Sequence, residues 1–528
     1  MEQHLQFLDW LVIGGYLLLM LALAVYLGRR QGSRQDYYLG GNGLPSWALA
    51  TSVVATQCST NSLLGAPAFV GFVLGGGMLW LQYELAVPLA MLALCALFMP
   101  VRRSGVISIY AYLEQRLGRE SRLLASACFL FFRGVATGVT VYGVASVVSL
   151  VTGLSYLWAV LLLMGITVAY DVLGGMRAVV ISDVIQMLLL SIAVLVALVW
   201  LSGPLAAQFD ELAPRVDALA MDWGVAGNNY GFWPMLVGGF FLYVAYYGCD
   251  QSQAQRLLSA HDEQATRRVL LYNGVLRFPL VLAYCLLGLG LAAYAAQHAS
   301  FIDGLPLTEA GQPNYNLVFP AFVAREFAPG LAGLAIVGLF AAAMSSIDSA
   351  LNSLSASTIE DFLQQHTGRS ENRLFLLSKL ATLVWGLFAV GFSFQVERIA
   401  PTVLEAINKV GSMANGSLLA LFCIAIVLPG LGQRAAIIGF LGGLLANALV
   451  WQLLPDVSWL WWNVIGFGVA LGVALLLGWA AGNRIVLQLR ELFVPRMYVL
   501  ALLAAAAIIL LVCWWLTSVA AGIQSVLM

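Results

Sequence analysis

The sequence predicts an all-α polytopic membrane protein of about 14 transmembrane helices, each needing roughly 20 predominantly apolar residues. Three observations carry that prediction. Hydrophobic residues, with Gly not counted, make up 61% of the 528 residues, and charged residues only 10%. Soluble domains are about 45–50% apolar even with Gly counted and about 25% charged, so a surface this poor in charge must face lipid. The net charge is -1, which offers no basic field to DNA or RNA. A soluble enzyme, a disordered chain and a nucleic-acid binder are excluded. Cys58, Cys95, Cys128, Cys249, Cys285, Cys423 and Cys513 lie in apolar runs with no C-x-x-C pair, so neither a disulfide framework nor a zinc site is suggested. His4, His261, His298 and His366 lie in or near loops, which disfavours His chemistry inside the membrane.

The spans read as 9–28, 46–70, 78–100, 122–152, 156–172, 178–202, 233–257, 270–296, 331–360, 374–394, 400–428, 435–454, 459–480 and 497–525. The first lacks a basic segment before it and is followed by Arg29 and Arg30, so it reads as a retained span rather than a cleaved leader. Most of the 25 Lys and Arg follow odd-numbered spans: Arg34 after the first, Arg102, Arg103, Arg116, Arg119 and Arg122 after the third, Arg177 after the fifth, Arg256, Arg267 and Arg268 after the seventh. The pattern continues at Arg369, Arg373, Lys379, Arg434, Arg484, Arg490 and Arg496. Positive-inside asymmetry then predicts a plasma or inner-membrane protein with both termini non-cytoplasmic. Segment 100–122 reads as an interfacial amphipathic helix, and outer loop 203–232 as a solvated acidic cap.

Two spans carry residues unsuited to simple anchors. Span 46–70 holds the polar run Thr56, Gln57, Cys58, Ser59, Thr60, Asn61 and Ser62, then Gly65 and Pro67. Span 233–257 holds Tyr243, Tyr246, Tyr247, Gly248, Cys249, Asp250 and Gln251. Polar backbone at membrane depth is tolerated where it lines a cavity. These spans open two five-span blocks, 46–202 and 233–428, and an odd span number inverts the second relative to the first. Residues 1–45 form an extra helix and inner loop, 203–232 an outer loop, and 429–528 three peripheral helices. Interrupted helices at matching positions of inverted halves point to a transporter's binding site.

Intramembrane acids need a reason, because each costs roughly 2.5–3.5 kcal/mol on insertion scales. Asp183 and Asp348 have no basic residue within one turn of their own spans, and a hard cation with oxygen ligands would compensate them. Ala342, Ser345, Ser346 and Ser349 share one helix face at i, i+3, i+4 and i+7. If Asp183 and Asp348 converge, two like charges there cannot both ionise cheaply without a cation.

At these residues the sequence resembles the sodium:solute symporter family, which includes sodium–glucose, monocarboxylate, multivitamin, proline and sialic acid cotransporters. The similarity covers roughly residues 35–430. It rests on Tyr37-Tyr38-Leu39-Gly40-Gly41, on Leu173 to Val179 leading into Ser182-Asp183-Val184-Ile185-Gln186, on Gln253-Ala254-Gln255-Arg256, and on Ser345 to Ser353. Tyr112-Leu113-Glu114 with Arg116, and Tyr247 to Gln251, look most like the monocarboxylate/multivitamin branch. The resemblance implies the LeuT-type five-plus-five inverted repeat and alternating access driven by one or two Na⁺. It implies a main sodium site of the Ala55, Cys58 and Ala342 carbonyls with the Ser345 and Ser346 hydroxyls. Asp183, Ser345 and Ser349 match a second site found in some members, and Asp348 departs from the Ser usual there, making it a further candidate ligand.

Gln57, Ser59, Ser62 and Gln82 match family substrate positions, and Tyr246 a gating Tyr. Arg133, lone in its span, is a candidate carboxylate clamp because its planar fork binds both oxygens; the carboxylate-binding Arg of sialic acid members aligns one turn later, at Ala136. Glu405 and Lys409 read as an internal pair or gate. The sequence thus predicts a secondary active, sodium-coupled symporter of a small polar organic solute, an organic anion such as a monocarboxylate or sialate-like acid. A neutral-solute symporter and a membrane sensor on the same fold are the alternatives, and an enzyme is not expected. The partners implied are the solute and the bilayer, with no obligate protein partner.

Overall fold

The computed structural model describes residues 5–527 apart from 30, 59, 309–310, 365–369, 397–402, 484–485 and 490–491, with only the backbone at 61, 403–410 and 526–527. The described chain is helical, with a single isolated bridge between Leu307 and Pro313. Among the described residues, ten helices are long and apolar enough to cross a membrane, and three shorter apolar segments accompany them.

Helix α1 (Phe7–Gly28) buries Ile13, Tyr16, Met20 and Ala24 at helical spacing. Its Asp9 does a second job. Asp9 Oδ1 accepts from the Gly330 and Gly333 amides, both at 2.7 Å, which satisfies the free N–H groups at a helix start near Gly330. The expected second span is two helices, α2 (Ser46–Gln57) and α3 (Thr60–Phe72), parted at Cys58 with φ -85 and ψ 48. Next come α4 (Ala86–Leu97) and α5 (Arg119–Thr152).

The fifth and sixth expected spans are continuous in α6 (Tyr156–Ala207), joined at the one left-handed residue Gly175, φ 53. A Cβ there would stand 2.7 Å from the Tyr37 ring and 2.9 Å from its carbonyl oxygen, so the turn needs Gly for both conformation and space. The seventh expected span also breaks, into α7 (Gly239–Cys249) and α8 (Gln251–Leu258), with Asp250 extended between them at φ -92, ψ 121. Then follow α9 (Glu263–Gln297), α10 (Leu331–Ser357), α11 (Glu371–Ser393), α12 (Val403–Val427), α13 (Gln433–Leu453), α14 (Trp461–Ala480) and α15 (Arg496–Leu527).

Helix α10 is the hub. It is buried along nearly its whole length and packs on α6, α1, α5, α11 and α2. Helices α13 and α14 pair through small residues at the edge. A Cβ on Gly439 or Gly443 would stand 2.3 or 2.4 Å from a carbonyl of α14, the close backbone approach that favours glycine between membrane helices.

Three expectations about the rims are corrected. The helix Ile109–Arg116 turns its apolar face to the protein rather than to lipid. Ile109, Tyr110, Tyr112 and Leu113 are buried against the protein, with Tyr110 OH donating to the Cys249 carbonyl at 3.1 Å. Loop 203–232 is not merely solvated, since its Ala218 and Ala220 amides bond Thr517 and Gln82. Arg34 and Arg122, counted above as loop charges, are buried in ion pairs just beyond α10. Arg34 meets Glu360 at 2.5 Å and Glu371 at 2.7 Å; Arg122 meets Asp361 at 2.8 Å and Glu114 at 2.6 Å.

Candidate functional site

Both broken spans face one internal cavity of about 180 Å³. Thr56, Gln57 and Ser62 reach it from the α2/α3 break, Tyr246 and Asp250 from the α7/α8 break, Arg133 and Thr137 from α5, and Ser346 from α10. Trp80, Tyr83, Tyr243, Arg277 and Tyr284 add an aromatic and cationic wall. Ser62 Oγ donates to the Gln57 carbonyl at 3.2 Å, while Gln57 Oε1 is buried with no hydrogen bond. Ser59 lies outside the described residues, as do the side chains of Glu405 and Lys409.

A cluster of neutral oxygens stands beside the break. Ser345 Oγ donates to the Ala342 carbonyl at 2.9 Å and reaches the Ala55 carbonyl at 3.4 Å. Ser346 Oγ donates to the Thr56 carbonyl at 3.1 Å. The Cys58 carbonyl accepts from Tyr284 OH at 3.2 Å, which leaves it a second lone pair. The break thus leaves carbonyls at the end of α2, and α10 brings two hydroxyls to those of Ala55 and Thr56. Neutral carbonyl and hydroxyl oxygens of this kind suit a hard cation, so the residues matched to the main sodium site fit such an ion.

The neighbouring cluster is different. Asp183, Asp348, Ser349 and Asp171 are all buried. Asp183 does have a basic partner, and it comes from another helix. Arg256, fully buried on α8, sends Nη2 to Asp183 Oδ2 at 3.3 Å and to Ser349 Oγ. Its Nε donates to Ser52 Oγ at 2.6 Å and its Nη1 to the Ser252 carbonyl at 2.6 Å. Ser52 Oγ also donates to Asp183, and Ser349 Oγ to the Ser345 carbonyl. Arg256 is therefore no loop charge. Of the oxygens expected to seek a second sodium, Asp183 Oδ2 and Ser349 Oγ are bonded to this guanidinium. Asp348 Oδ1 accepts from the Ser349 amide at 2.6 Å and lies 3.2 Å from its hydroxyl, and Oδ2 has no hydrogen-bond partner among the described residues.

Two expectations about the solute contacts change. Gln82 does not line the cavity. Its amide donates to the Tyr230 carbonyl at 2.7 Å and accepts from the Ala220 amide at 3.1 Å, so it pins the outer loop. Arg133 lines the cavity but is not lone. Its Nη2 meets Asp250 Oδ2 at 2.5 Å and Ser252 Oγ at 2.6 Å, and its guanidinium lies 5.4 Å from the Tyr246 ring centre. Asp250 owes this position to the α7/α8 break, where it also caps α8 by accepting from the Ser252 amide at 2.8 Å. Arg133 Nε is buried and makes no hydrogen bond among the described residues.

Sequence reasoning missed one more pair. Glu84 and Arg277 are buried together, with Nη2 to Oε1 and Nε to Oε2 both at 2.8 Å, and Tyr243 OH 2.6 Å from Nη2. Their separation by nearly 200 residues left no local signal beyond the bare presence of two intramembrane charges.

The sodium:solute symporter family model matches residues 37–443. A sodium/sialic acid symporter of Proteus mirabilis is 27% identical, covering 87% of this chain and 92% of that protein. Sodium-coupled monocarboxylate transporter 1 of Xenopus laevis is 28% identical, covering 82% and 70%. The rabbit (Oryctolagus cuniculus) sodium-dependent multivitamin transporter is 29% identical, covering 83% and 69%. Among solved structures, a Na⁺-coupled sialic acid symporter in a substrate-bound outward-open state overlays with a TM-score of 0.80 at 24% identity, covering 92% of this chain and 99% of that one. That likeness shows the fold, the LeuT type. These relatives are transporters and not enzymes. The chain belongs to the sodium:solute symporter family.

Proposed function

We propose that this protein carries out symport of a small organic anion, a monocarboxylate or sialate-like acid, with sodium, by alternating access across the cell membrane. Membership of a sodium-coupled solute symporter family sets the class, and the relatives' own solutes are acids and vitamins. The observation that carries the anionic solute is Arg133. It stands on the cavity wall beside Gln57, Ser62 and Tyr246, where a guanidinium is the side chain best suited to an incoming carboxylate. Gln57, Ser62 and Tyr246 line the same cavity and contact the solute's polar atoms in this reading.

Na⁺ is the coupling ion, held by the Ala55, Cys58 and Ala342 carbonyls and the Ser345 and Ser346 hydroxyls. An ion there joins the α2/α3 break to α10, which ties its binding to the packing of the two halves. One Na⁺ crossing 100 mV supplies about 2.3 kcal/mol from voltage alone. We also propose fourteen crossings with both termini non-cytoplasmic, and the two blocks 46–202 and 233–428 as the inverted repeats. Asp250 favours a second reading, a neutral solute, because it already balances the Arg133 charge.

A thermal-shift screen of the purified protein separates the two readings. Small acids, sugars and amino acids are compared in Na⁺ and in K⁺, since a ligand of the folded state raises Tm by mass action. The anion reading expects sodium-dependent shifts from acids. Shifts from sugars or amino acids alone favour the neutral reading, and shifts equal in Na⁺ and K⁺ contradict sodium coupling.

A further inference from the structure

The cavity wall is neutral before anything binds. Among the described residues that line it, Arg133, Arg277 and Asp250 carry formal charge. Arg277 is balanced by Glu84, whose two oxygens accept from its Nη2 and Nε, both at 2.8 Å. Arg133 is balanced by Asp250, Nη2 to Oδ2 at 2.5 Å. The neutral oxygen cluster beside α10 borders the same space, since the Ser346 hydroxyl donates to the Thr56 carbonyl and both residues line the cavity.

Asp250 is a fixed partner. The break in the seventh span leaves it extended between α7 and α8. Its Oδ1 accepts from the Ser252 amide at 2.8 Å and hydroxyl at 2.6 Å, which caps α8. Oδ2 is left for Arg133, and Ser252 Oγ accepts from the same Nη2 at 2.6 Å. The carboxylate is thus anchored to its own helix while it cancels the charge of an arginine on α5.

An acidic solute reaching Arg133 therefore meets a guanidinium that is already neutralised. It brings one unbalanced negative charge into a space largely shut from water, where such a charge is costly. A sodium ion in the neutral cluster brings one unbalanced positive charge. Together they cancel, so each tightens the other, and by the same factor. A bare arginine would balance the acid by itself and repel the sodium.

We propose that Asp250 is a specificity-determining residue for ion coupling: it cancels Arg133 in the empty cavity and so leaves Na⁺, rather than the arginine, to balance an acidic solute. The proposal rests on the sodium and anion readings above.

Sodium affinity is read first, as Tm while sodium replaces potassium at constant ionic strength, in wild type, Asp250→Asn, Arg133→Gln and the double variant. Asn still caps α8, so Asp250→Asn removes charge and keeps the helix start. It should raise the half-saturating sodium about five- to tenfold, Arg133→Gln should lower it by a similar factor, and the double variant should lie within about threefold of wild type. Damage to the fold weakens sodium in both single variants, whereas charge moves them in opposite directions. Shifts of the same sign, or none in Asp250→Asn, overturn the proposal. Should Arg133→Gln fail to fold, recovery in the double variant still decides, because adding Arg133→Gln cannot repair structural damage from Asp250→Asn. The acids lactate, pyruvate and benzoate are then tested in K⁺ and in Na⁺. An acid that needs Na⁺ to raise the Tm of wild type should raise that of Asp250→Asn in K⁺ as well, and an unchanged sodium requirement overturns the proposal. If sugars move wild type and none of these acids does, the anion reading falls and the proposal with it, whatever the sodium titration shows. No sodium-dependent rise in wild type contradicts the sodium reading instead.

Discussion

Two neighbouring oxygen clusters along α10 solve the same problem in different ways. Ser345 and Ser346 meet the carbonyls of Ala55, Ala342 and Thr56 with no formal charge among them. One turn along, Ser349 meets Asp183 and a guanidinium. Neutral oxygens can stand empty at modest cost, since hydroxyls and carbonyls bond one another when no ion is present, as they do here. A buried carboxylate cannot, because an uncompensated charge away from water is expensive at every step of a transport cycle. A mobile ion is therefore suited to the neutral face, and a tethered one to the acidic face.

The largest effect expected from breaking this contrast is on stability. In sodium-free buffer Arg256→Ala strips Asp183 of its partner and should cost about 3–5 kcal/mol, the usual penalty for half of a buried pair. Adding Asp183→Asn should recover most of it in thermal denaturation. Equal loss in the single and double variants would mean that the arginine serves packing rather than charge. Next comes the solute. Arg133→Gln should weaken acidic solutes by about 1.5–3 kcal/mol, the range for a hydrogen bond to a charged group, and leave neutral ones within about twofold. Competition binding reads the difference, and a uniform loss for both classes would point to a collapsed cavity.

Asp348→Ser should do less, because Asp348 bonds only to Ser349 among the described residues. We expect unchanged sodium affinity and a Tm equal to or above that of wild type, since an acid with an unbonded oxygen is removed from beside Asp183. A sodium affinity lowered tenfold, about 1.4 kcal/mol, would return Asp348 to the cation site. The smallest effect is a control outside the membrane. Asp262 caps α9 by accepting from the Ala265 amide at 2.7 Å, and that bond holds its carboxyl below the usual carboxylate range. Its contribution is thus present above the unfolded-state value and lost as pH falls through the lowered one. Asp262→Ala should cost about 1 kcal/mol at neutral pH, and progressively less in acid, with the sodium-dependent rise in Tm unmoved.

Both helix breaks were legible in the sequence because each puts polar residues where lipid-facing helix would need apolar ones, Thr56 to Ser62 in one case and Gly248 to Gln251 in the other. The hydroxyl face of α10 was legible from its i, i+3, i+4 spacing. What escaped was pairing between helices. Arg256 closes the polar stretch Asp250 to Gln255 at the end of the seventh expected span and so resembles a flanking loop charge, and nothing local ties it to Asp183, 73 positions earlier. Arg133 read as lone because its acid, Asp250, lies on another helix. Gln82 fell on a family substrate position, but the outer loop that claims its amide has no pattern to announce it.

The central claim is that a mobile sodium ion is held by the neutral face of α10. The most direct test follows Tm as sodium replaces potassium at constant ionic strength, in wild type and in Ser345→Ala/Ser346→Ala. The account predicts a saturable rise in wild type, growing with sodium as mass action requires, and no rise in the double variant. A double variant that keeps the full rise at the same half-saturating sodium would contradict it.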